Sequence, residues 1–340
     1  LVIRRQRQMC IRDRFKDMVC YQEEVRDPSR VAEVLNRVIS KAFKGSAPAQ
    51  INIPRDMWTQ VIDIELPPII KFERPSGGSE AIKEAAKLLS NADFPVILSG
   101  AGVVLADAIN DCKALAEKLD SPVASGYQHN DSFPGSHPLA VGPLGYNGSK
   151  AAMELISKAD VVLALGTRLN PFSTLPGYGI DYWPKDAAII QVDINSDRIG
   201  LTKKVSVGIC GDAKQVAQQL LNSLSPEAGN KNRDERKALI HQTKSAWLQT
   251  LSSMDHEDDD PGTSWNEEAR VRDADRMSPR MAWRAIQNGL PKNAIISSDI
   301  GNNCAIGNAY PTFEEGRKYL APGLFGPCGY GFPSVLGAKI

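Results

Sequence analysis

The sequence is poor in the residues that build metal centres and disulfide frameworks. Its 340 residues include six cysteines and four histidines. No two cysteines form a Cys-X-X-Cys pair, and the histidines do not cluster with them. Zinc sites need closely spaced ligands of these types, and small secreted domains need paired cysteines, so we expect neither. Scattered thiols are typical of the reducing cytoplasm, which is the location that we predict.

An excess of charge of either sign is also missing. Lys and Arg together number 40, as do Asp and Glu, whereas surfaces that bind nucleic acids or membranes usually carry a basic excess. We therefore expect no nucleic-acid partner. No apolar run approaches the roughly 18 residues of a membrane-spanning helix, so we expect no membrane partner and a soluble protein. The length allows two domains and part of a third.

Residues 1–14 differ in composition from the rest of the chain. They contain five arginines and a single acidic residue, Asp13. An arginine-rich start is typical of a transit peptide or a nucleic-acid arm, but transit peptides are also rich in serine, which is absent here. We interpret these residues as a non-native leader.

Residues 80–224 alternate short apolar strands with amphipathic helices. The strands are predicted at 95–99, 121–125, 161–165 and 188–193, and the helices at 80–89, 106–119, 149–157 and 213–221. Continuous apolar strands that alternate with helices are typical of a parallel sheet covered on both faces. The predicted fold class is therefore α/β, with a central α/β domain at 80–224.

Two polar stretches separate this domain from its neighbours. Residues 58–79 are rich in proline and glycine, and residues 225–277 are polar with an acidic run at 255–260. We expect both to be linkers, and the acidic run to be solvated rather than to bind a metal. The flanking segments, 15–57 and 278–340, each combine a helix with a strand.

The last forty or so residues contain two loops suited to a ligand. A predicted buried strand at 294–298 ends in Asp299 and the turn Gly301-Asn302-Asn303, whose N–H groups and small amides suit an anion. A second loop carries several glycines before an apolar helix start, so its backbone can approach a ligand closely. Together the loops predict a cofactor site. The alternative is an asparagine-rich turn that binds nothing.

These residues resemble a known family. The segments Asp299-Ile-Gly-Asn-Asn303 and Gly326-Pro-Cys-Gly-Tyr-Gly-Phe-Pro-Ser-Val-Leu-Gly-Ala-Lys339 are similar to the start of the pyrophosphate-binding domain in thiamine-diphosphate enzymes of the acetolactate synthase and pyruvate oxidase group. The resemblance extends over about residues 15–340. It implies that 15–57 ends a pyrimidine-binding domain, that 80–224 is the middle domain, and that 278–340 is the truncated N-terminal part of a pyrophosphate-binding domain.

The resemblance also implies a set of cofactor-binding residues: Ile300, Gly301, Asn302, Asn303, Gly326, Pro327 and Cys328. The first four match the segment that contacts the diphosphate of thiamine diphosphate. The carbonyl of Gly326 would accept a hydrogen bond from the aminopyrimidine. Cys328 matches the position that wedges between the two rings, where relatives usually carry a larger residue such as Met. A nucleophilic Cys328 is the alternative, although no His or cationic partner is near it in sequence.

Other parts of the family's machinery match nothing in the chain. The glutamate that activates the cofactor would precede residue 15, and the Mg²⁺ motif, Gly-Asp-Gly followed by Asn, would lie beyond Ile340. We therefore expect the 340 residues to hold neither the catalytic glutamate nor a metal ligand, and to be inactive on their own.

Within that group the sequence is most similar to the sulfoacetaldehyde acetyltransferases. This likeness implies that the ylide of thiamine diphosphate attacks sulfoacetaldehyde, that sulfite leaves, and that phosphate takes the acetyl group as acetyl phosphate during taurine and sulfonate degradation. It also implies self-association as a homodimer or homotetramer, because the cofactor lies between subunits in the family. The alternatives are an acetolactate synthase or pyruvate oxidase-like enzyme acting on 2-oxo acids, and a non-catalytic nucleotide-binding module.

The sequence does not decide whether the middle domain binds a nucleotide. Gly100-Ala-Gly102 lies where a dinucleotide-binding turn would be, but the third glycine of that motif is absent because position 105 is Leu. Arg168 and Asp193 also follow strands, and the alternative is that they satisfy each other or the backbone. In relatives this domain binds FAD, another nucleotide, or nothing, so FAD or another nucleotide remains one of several expectations.

Overall fold

A computed structural model of the protein describes residues 12–45, 47–67, 73–254, 277–323 and 325–339. The chain divides into two compact units, Leu1–Glu73 and Arg74–Ile340. Residues 1–11 of the predicted leader and the acidic run at 255–260 lie outside the described residues.

The described part of the first unit is built around a long helix and two short strands. Strands β1 (Tyr21–Glu24) and β2 (Ala49–Asn52) pair in parallel, and helix α1 (Val31–Gly45) connects them. The helix buries Val34 and Val38 on one face. These two positions are four residues apart, which places them one turn from each other on the same side of the helix.

A parallel sheet of six strands forms the centre of the second unit. Its strands are β3 (Pro95–Ser99), β4 (Val123–Ser125), β5 (Ala140–Pro143), β6 (Val161–Leu165), β7 (Ala188–Asp193) and β8 (Val207–Cys210). Their order across the sheet is β5-β4-β3-β6-β7-β8. Every residue of β3 and β6 is buried, as expected of strands covered on both faces. The predicted α/β fold class is confirmed.

Helices cover both faces of this sheet. They include α2 (Ser79–Asn91), α3 (Ala101–Leu105), α4 (Ile109–Leu119), α5 (Lys150–Ile156), α6 (Ala213–Ser223) and α7 (Arg233–Ser253). The crossovers from β3 to β4 and from β5 to β6 run in opposite directions along the sheet, so right-handed connections place α4 and α5 on opposite faces. Helix α6 packs against α2 and α4, and α7 packs against α5.

The sheet has two strands that the sequence did not predict, and one predicted helix begins later than expected. Strand β8 lies at an edge and alternates buried with exposed residues, so it lacks a continuous apolar run. The other edge strand, β5, ends in Gly142-Pro143. The helix predicted at 106–119 begins only at Ile109, as α4, and an unpredicted short helix, α3, ends at Leu105. Asp107 lies between them in the left-handed conformation, with φ 55°, which interrupts a right-handed helix.

Helix α7 packs tightly although it lies in the polar stretch at 225–277. Ile240, Trp247 and Leu251 are buried. The guanidinium of Arg236, which is 1% exposed, donates hydrogen bonds of 2.6–3.0 Å to five backbone carbonyls, those of Asp93, Leu119, Asp120, Gly229 and Lys231. The described helices include none that is both long and apolar enough to cross a membrane.

The end of the second unit carries the two candidate loops. Its elements are α8 (Pro279–Gly289), β9 (Ile296–Ser297), α9 (Asn302–Gly307), β10 (Tyr319–Leu320) and α10 (Gly331–Lys339). Strands β9 and β10 pair in parallel, with Ile296 opposite Tyr319. Strand β9 is shorter than the predicted strand at 294–298. The pairing places the ends of the two strands, and the loops that follow them, side by side.

Candidate cofactor site

The carboxylate of Asp299 joins the two candidate loops. Its oxygens accept hydrogen bonds from the N–H groups of Ile300 at 2.8 Å, of Gly329 at 3.1 Å and of Gly331 at 3.1 Å. Hydrogen bonds to an ionised carboxylate favour that form, so the N–H groups, that of Ile300 foremost, hold the pKa of Asp299 below its usual value. The strand-end turn and the glycine loop are therefore in direct contact.

Gly326 lies against Ile300. A Cβ at position 326 would be 2.9 Å from Cδ1 of Ile300, and φ is +58°, a conformation that residues with a Cβ rarely adopt. Both features require glycine. Pro327 is half-buried, and the thiol of Cys328 is exposed. The structure thus brings together Ile300 and Gly326, whereas the binding role of every residue in the set stays a prediction.

The turn at 301–303 offers exposed donors. Gly301, with φ +109°, precedes α9, and Gly301, Asn302 and Asn303 are all exposed. No described residue accepts a hydrogen bond from the backbone N–H of any of the three. Such unpaired N–H groups suit an anion, so the residues present fit the diphosphate predicted for this turn. The side-chain amide of Asn303 instead folds back, donating to the carbonyl of Asp299 at 3.3 Å.

Trp283 of α8 supports the turn from one side. Its indole N–H donates to the carbonyl of Asn303 at 2.9 Å. The same ring packs on the backbone of Gly307, where any Cβ would overlap it. Trp283 carries no signal in the sequence, since no motif links an aromatic residue to a turn twenty positions later.

Cys304 supports the turn from beneath. It is fully buried and accepts a hydrogen bond from the side-chain amide of Gln128, and the hydroxyl of Tyr127 lies 3.9 Å from its sulfur. Burial raises the pKa of the Cys304 thiol, so this sulfur is a packed, protonated group rather than a nucleophile. Tyr127 and Gln128 lie more than 170 positions before Cys304, so no spacing in the sequence signals their contact.

The middle-domain loop that carries Gln128 makes further contacts with the end of the chain. The amide of Asn130 donates to the carbonyls of Asn308 at 2.8 Å and Pro311 at 2.9 Å. The carboxylate of Asp131, 3% exposed, accepts from the N–H groups of Lys318 at 3.0 Å and Tyr319 at 3.2 Å. Burial raises the pKa of Asp131, although these hydrogen bonds oppose the shift. The loop thus holds both α9 and β10.

The glycines considered for a nucleotide pack against the sheet. The N–H of Gly100 donates to the carbonyl of Leu165 at 3.1 Å, and that of Gly102 to Gly166 at 2.8 Å. A Cβ at Gly102 would lie 2.6 Å from Cα of Gly166, so close backbone approach explains this glycine. Binding of FAD or another nucleotide by the middle domain stays a prediction.

The two charged residues considered for the same site do not pair. Asp193 is buried and accepts a hydrogen bond from the N–H of Asn195 at 2.9 Å, whereas Arg168 is exposed. Among the described residues, no three His, Cys, Asp or Glu side chains lie close enough to hold a metal ion. The location of the Mg²⁺ ligands beyond Ile340 stays a prediction.

Comparison with known proteins identifies the family. Residues 82–220, from α2 into α6, match the family model described as the central domain of thiamine pyrophosphate enzymes. Over 326 residues, or 96% of the chain, the sequence is 79% identical to a probable sulfoacetaldehyde acetyltransferase of Rhizobium meliloti. The chain belongs to the thiamine pyrophosphate enzymes. The resemblance predicted from the two loops is confirmed.

Other thiamine pyrophosphate enzymes are similar to different degrees. The chain is 77% identical over 326 residues, 96% of its length, to a sulfoacetaldehyde acetyltransferase of Roseovarius nubinhibens. It is 31% identical over 342 aligned residues, again 96% of the chain, to a probable acetolactate synthase large subunit of Methanocaldococcus jannaschii. The chain spans about half the length of these curated relatives, 55% of the Rhizobium protein and 54% of each of the other two.

Proposed function

We propose that the full-length protein carrying this chain is a thiamine-diphosphate-dependent acyltransferase that converts sulfoacetaldehyde and phosphate to acetyl phosphate and sulfite. The observation that carries the proposal is the difference in sequence identity between two kinds of relative. Over the same 96% of the chain, identity is 79% and 77% to two proteins named for this activity but 31% to a probable acetolactate synthase. A pocket is shaped by residues drawn from whole domains, so identity of this order supports a shared substrate.

The proposed reaction is balanced without an external oxidant. The carbon–sulfur bond breaks and sulfite departs with the bonding electrons. The aldehyde carbon loses its hydrogen as a proton, its neighbour gains a proton, and a bond forms between the former aldehyde carbon and a phosphate oxygen. That carbon is oxidised to the acyl level, and its neighbour is reduced to a methyl group. Bound thiamine diphosphate supplies the electron sink that allows this internal redox change.

The residues of the chain would bind and orient the cofactor. We propose that the free N–H groups of Gly301, Asn302 and Asn303 bind its diphosphate, whose remaining charge Mg²⁺ would balance. The carbonyl of Gly326 would accept from the aminopyrimidine, and the exposed side chain of Cys328 would pack between the two rings. Ile300 and Pro327 complete the set.

Asp299 would fix the distance between the two ends of the cofactor. Its carboxylate holds the N–H groups of Gly329 and Gly331 beside the turn that follows β9. The loop that would bind thiamine and the turn that would bind diphosphate therefore keep one relative position. Such preorganisation favours a reactive geometry, because no loop has to be ordered during the reaction.

The organisation predicted from the sequence is part of the proposal. We propose partial pyrimidine-binding and pyrophosphate-binding segments at 15–57 and 278–340, the middle domain at 80–224, and linkers at 58–79 and 225–277. We also propose a cytoplasmic homodimer or homotetramer that serves taurine and sulfonate degradation. The sizes of purified assemblies, measured by light scattering, test the oligomeric state.

Sulfite release tests the function. The full-length reading frame that carries these residues should release sulfite from sulfoacetaldehyde and form acetyl phosphate when thiamine diphosphate, Mg²⁺ and phosphate are all present. Omission of any one should abolish acetyl phosphate. Carbon dioxide from pyruvate without sulfite from sulfoacetaldehyde would instead assign a 2-oxo-acid substrate. Nucleotide binding with neither reaction would assign a non-catalytic module.

A further inference from the structure

Helix α9, which starts at the candidate diphosphate turn, is held by the middle domain at several points. Cys304, in its first turn, contacts the side chains of Tyr127 and Gln128. Asn308, at its C-terminal end, is fully buried. Its side-chain oxygen accepts from the backbone N–H of Gln128 at 3.1 Å. Gln128 therefore contacts both ends of the helix, once through its side chain and once through its backbone.

The backbone of Gln128 adopts a conformation that needs support. It is 3% exposed and has φ +63°, in the left-handed region that long side chains seldom occupy. Such a conformation persists where the surrounding structure fixes it, often beside a functional site. Here the fixing contacts are those to Asn308 and Cys304, so the strained backbone and the contact with α9 occur together.

A shift of Cys304 would move the proposed diphosphate donors. Cys304 directly follows Asn303, and its own N–H bonds to the carbonyl of Gly301 at 3.1 Å. The N–H groups of Gly301, Asn302 and Asn303 therefore share one rigid turn with the sulfur that Gln128 holds. Among the described middle-domain residues, the hydroxyl of Tyr127, at 3.9 Å, is the other group within hydrogen-bonding reach of the sulfur.

We propose that Gln128 is a positioning residue for cofactor binding: its side-chain amide holds Cys304 and thereby fixes the turn at 301–303 in the geometry that binds the cofactor diphosphate. The inference rests on the proposed function. It assigns the middle domain a direct part in cofactor affinity although Gln128 itself would touch no cofactor atom.

A double-mutant cycle tests the contact in the full-length protein. Gln128→Met keeps the side-chain length and removes the donor, and Cys304→Ala removes the acceptor. Each should raise the dissociation constant for thiamine diphosphate, measured by titration calorimetry with Mg²⁺ present, about tenfold. The double variant should be no weaker than the weaker single variant, because both changes break one interaction. Independent, additive losses would overturn the proposal, as would unchanged affinity.

Two further variants separate positioning from folding. Cys304→Ser retains an acceptor and should keep affinity near that of the parent even if Cys304→Ala folds poorly. Gln128→Gly suits the left-handed backbone and retains the N–H donated to Asn308, so it should fold yet lose affinity as Gln128→Met does. Parental affinity in Gln128→Gly would assign the effect to the backbone alone and reject the role of the side chain.

A matched control addresses general loss of stability. Gln191 is 1% exposed, and its amide donates to the carbonyls of Thr167 and Arg198 at 3.2 Å, neither of which belongs to α9. Gln191→Met should lower the melting temperature and leave cofactor affinity within about twofold, since the buried amide contacts that it removes involve no residue of α9 or the turn. An equal loss of affinity would contradict the positioning role. Absence of binding by the parent protein would overturn the proposed function and the inference together.

Discussion

At the scale of single residues, Gly326 shows why the second candidate loop needs glycine. Its φ is +58°, and a Cβ would meet Cδ1 of Ile300 at 2.9 Å. Gly329 has φ +86° but open space around the same position. A comparison of substitutions at the two glycines therefore distinguishes the effect of backbone strain from that of steric overlap within one loop.

We expect Gly326→Ala to weaken thiamine diphosphate binding more than Gly329→Ala. Both substitutions add the left-handed penalty of about 1–2 kcal/mol, whereas only the first also displaces Ile300. Dissociation constants from titration calorimetry of the full-length protein check the order. Gly337→Ala is the control, because Gly337 lies in α10 with nothing near its Cβ position. Equal losses at 326 and 329 would show that the overlap with Ile300 has no effect.

Asp299 gives a second prediction for a single residue. Asp299→Asn keeps one acceptor oxygen but turns an NH₂ group toward N–H donors, so the contact with Gly329 and Gly331 should weaken. Amide hydrogen exchange at these two glycines should accelerate roughly tenfold, in line with the loss of a charge-assisted bond. Asp193→Asn, which changes a similar strand-end carboxylate in the middle sheet, should leave that exchange unchanged.

The pH dependence of the same contact follows from the lowered pKa of Asp299. Because the folded-state pKa lies below the usual value of 3.8, the ionised carboxylate stabilises the loop at every pH above that value. The stabilisation is lost only as the pH falls through the lower, folded-state value. Exchange in the parent should therefore approach that of Asp299→Asn only in acid, and convergence near neutral pH would contradict the assignment.

At the scale of secondary-structure elements, α7 depends on one buried cation. Arg236→Met should leave five backbone carbonyls without their donor, and we expect it to lower the free energy of unfolding by about 3 kcal/mol or more. Urea denaturation measures the loss. Lys237→Met is the control: Lys237 is exposed and Asp120 keeps Arg233 as a second ion-pair partner, so we expect a loss of less than about 1 kcal/mol. Similar losses would show that Arg236 is not the main attachment.

The elements that could be predicted from the sequence are those with a continuous pattern. Strands β3, β6 and β7 were predicted at 95–99, 161–165 and 188–193 and have those bounds, because strands covered on both faces read as unbroken apolar runs. Edge strand β8 was missed because it alternates buried with exposed residues, and β5 because it is short and ends in Gly142-Pro143. The break at Asp107 depends on a single left-handed residue, which apolar periodicity does not encode.

The candidate site also has a part that could be predicted from the sequence and a part that could not. The turn and the glycine loop were recognised because the backbone conformations that they need are marked by glycines and asparagines close together in the sequence. Trp283, Gln128 and Asp131 were missed because their roles arise only when distant segments pack together. A single sequence records which residues are present but not which of them meet.

At the scale of the whole second unit, a buried carboxylate links the middle domain to β10. Asp131 accepts from two N–H groups at 318 and 319, while burial raises its pKa above the usual value of 3.8. A raised folded-state pKa means that the folded protein binds the proton more tightly than the unfolded chain. The associated stability is present below pH 3.8 and is lost as the pH rises through the folded-state value.

We expect the difference in free energy of unfolding between the parent protein and Asp131→Asn to depend on pH in the same direction. The parent should be most stable relative to the variant in acid, and its advantage should shrink as the pH rises from 3.8 through the raised pKa. Urea denaturation at a series of pH values measures the difference, in which the other titrating groups cancel. An advantage that grows with pH would mean that the two N–H groups outweigh burial and that the pKa is lowered.

The contact between Trp283 and the carbonyl of Asn303 gives the protein an intrinsic optical probe. Indole emission responds to the field and solvent around the ring, and this ring is 8% exposed beside the proposed diphosphate turn, whereas Trp58 is 71% exposed. Occupancy of the turn should therefore change the short-wavelength part of the tryptophan spectrum and leave the long-wavelength part unaltered. Cofactor arrival could then be followed in real time without a label, in a variant library as readily as in the parent.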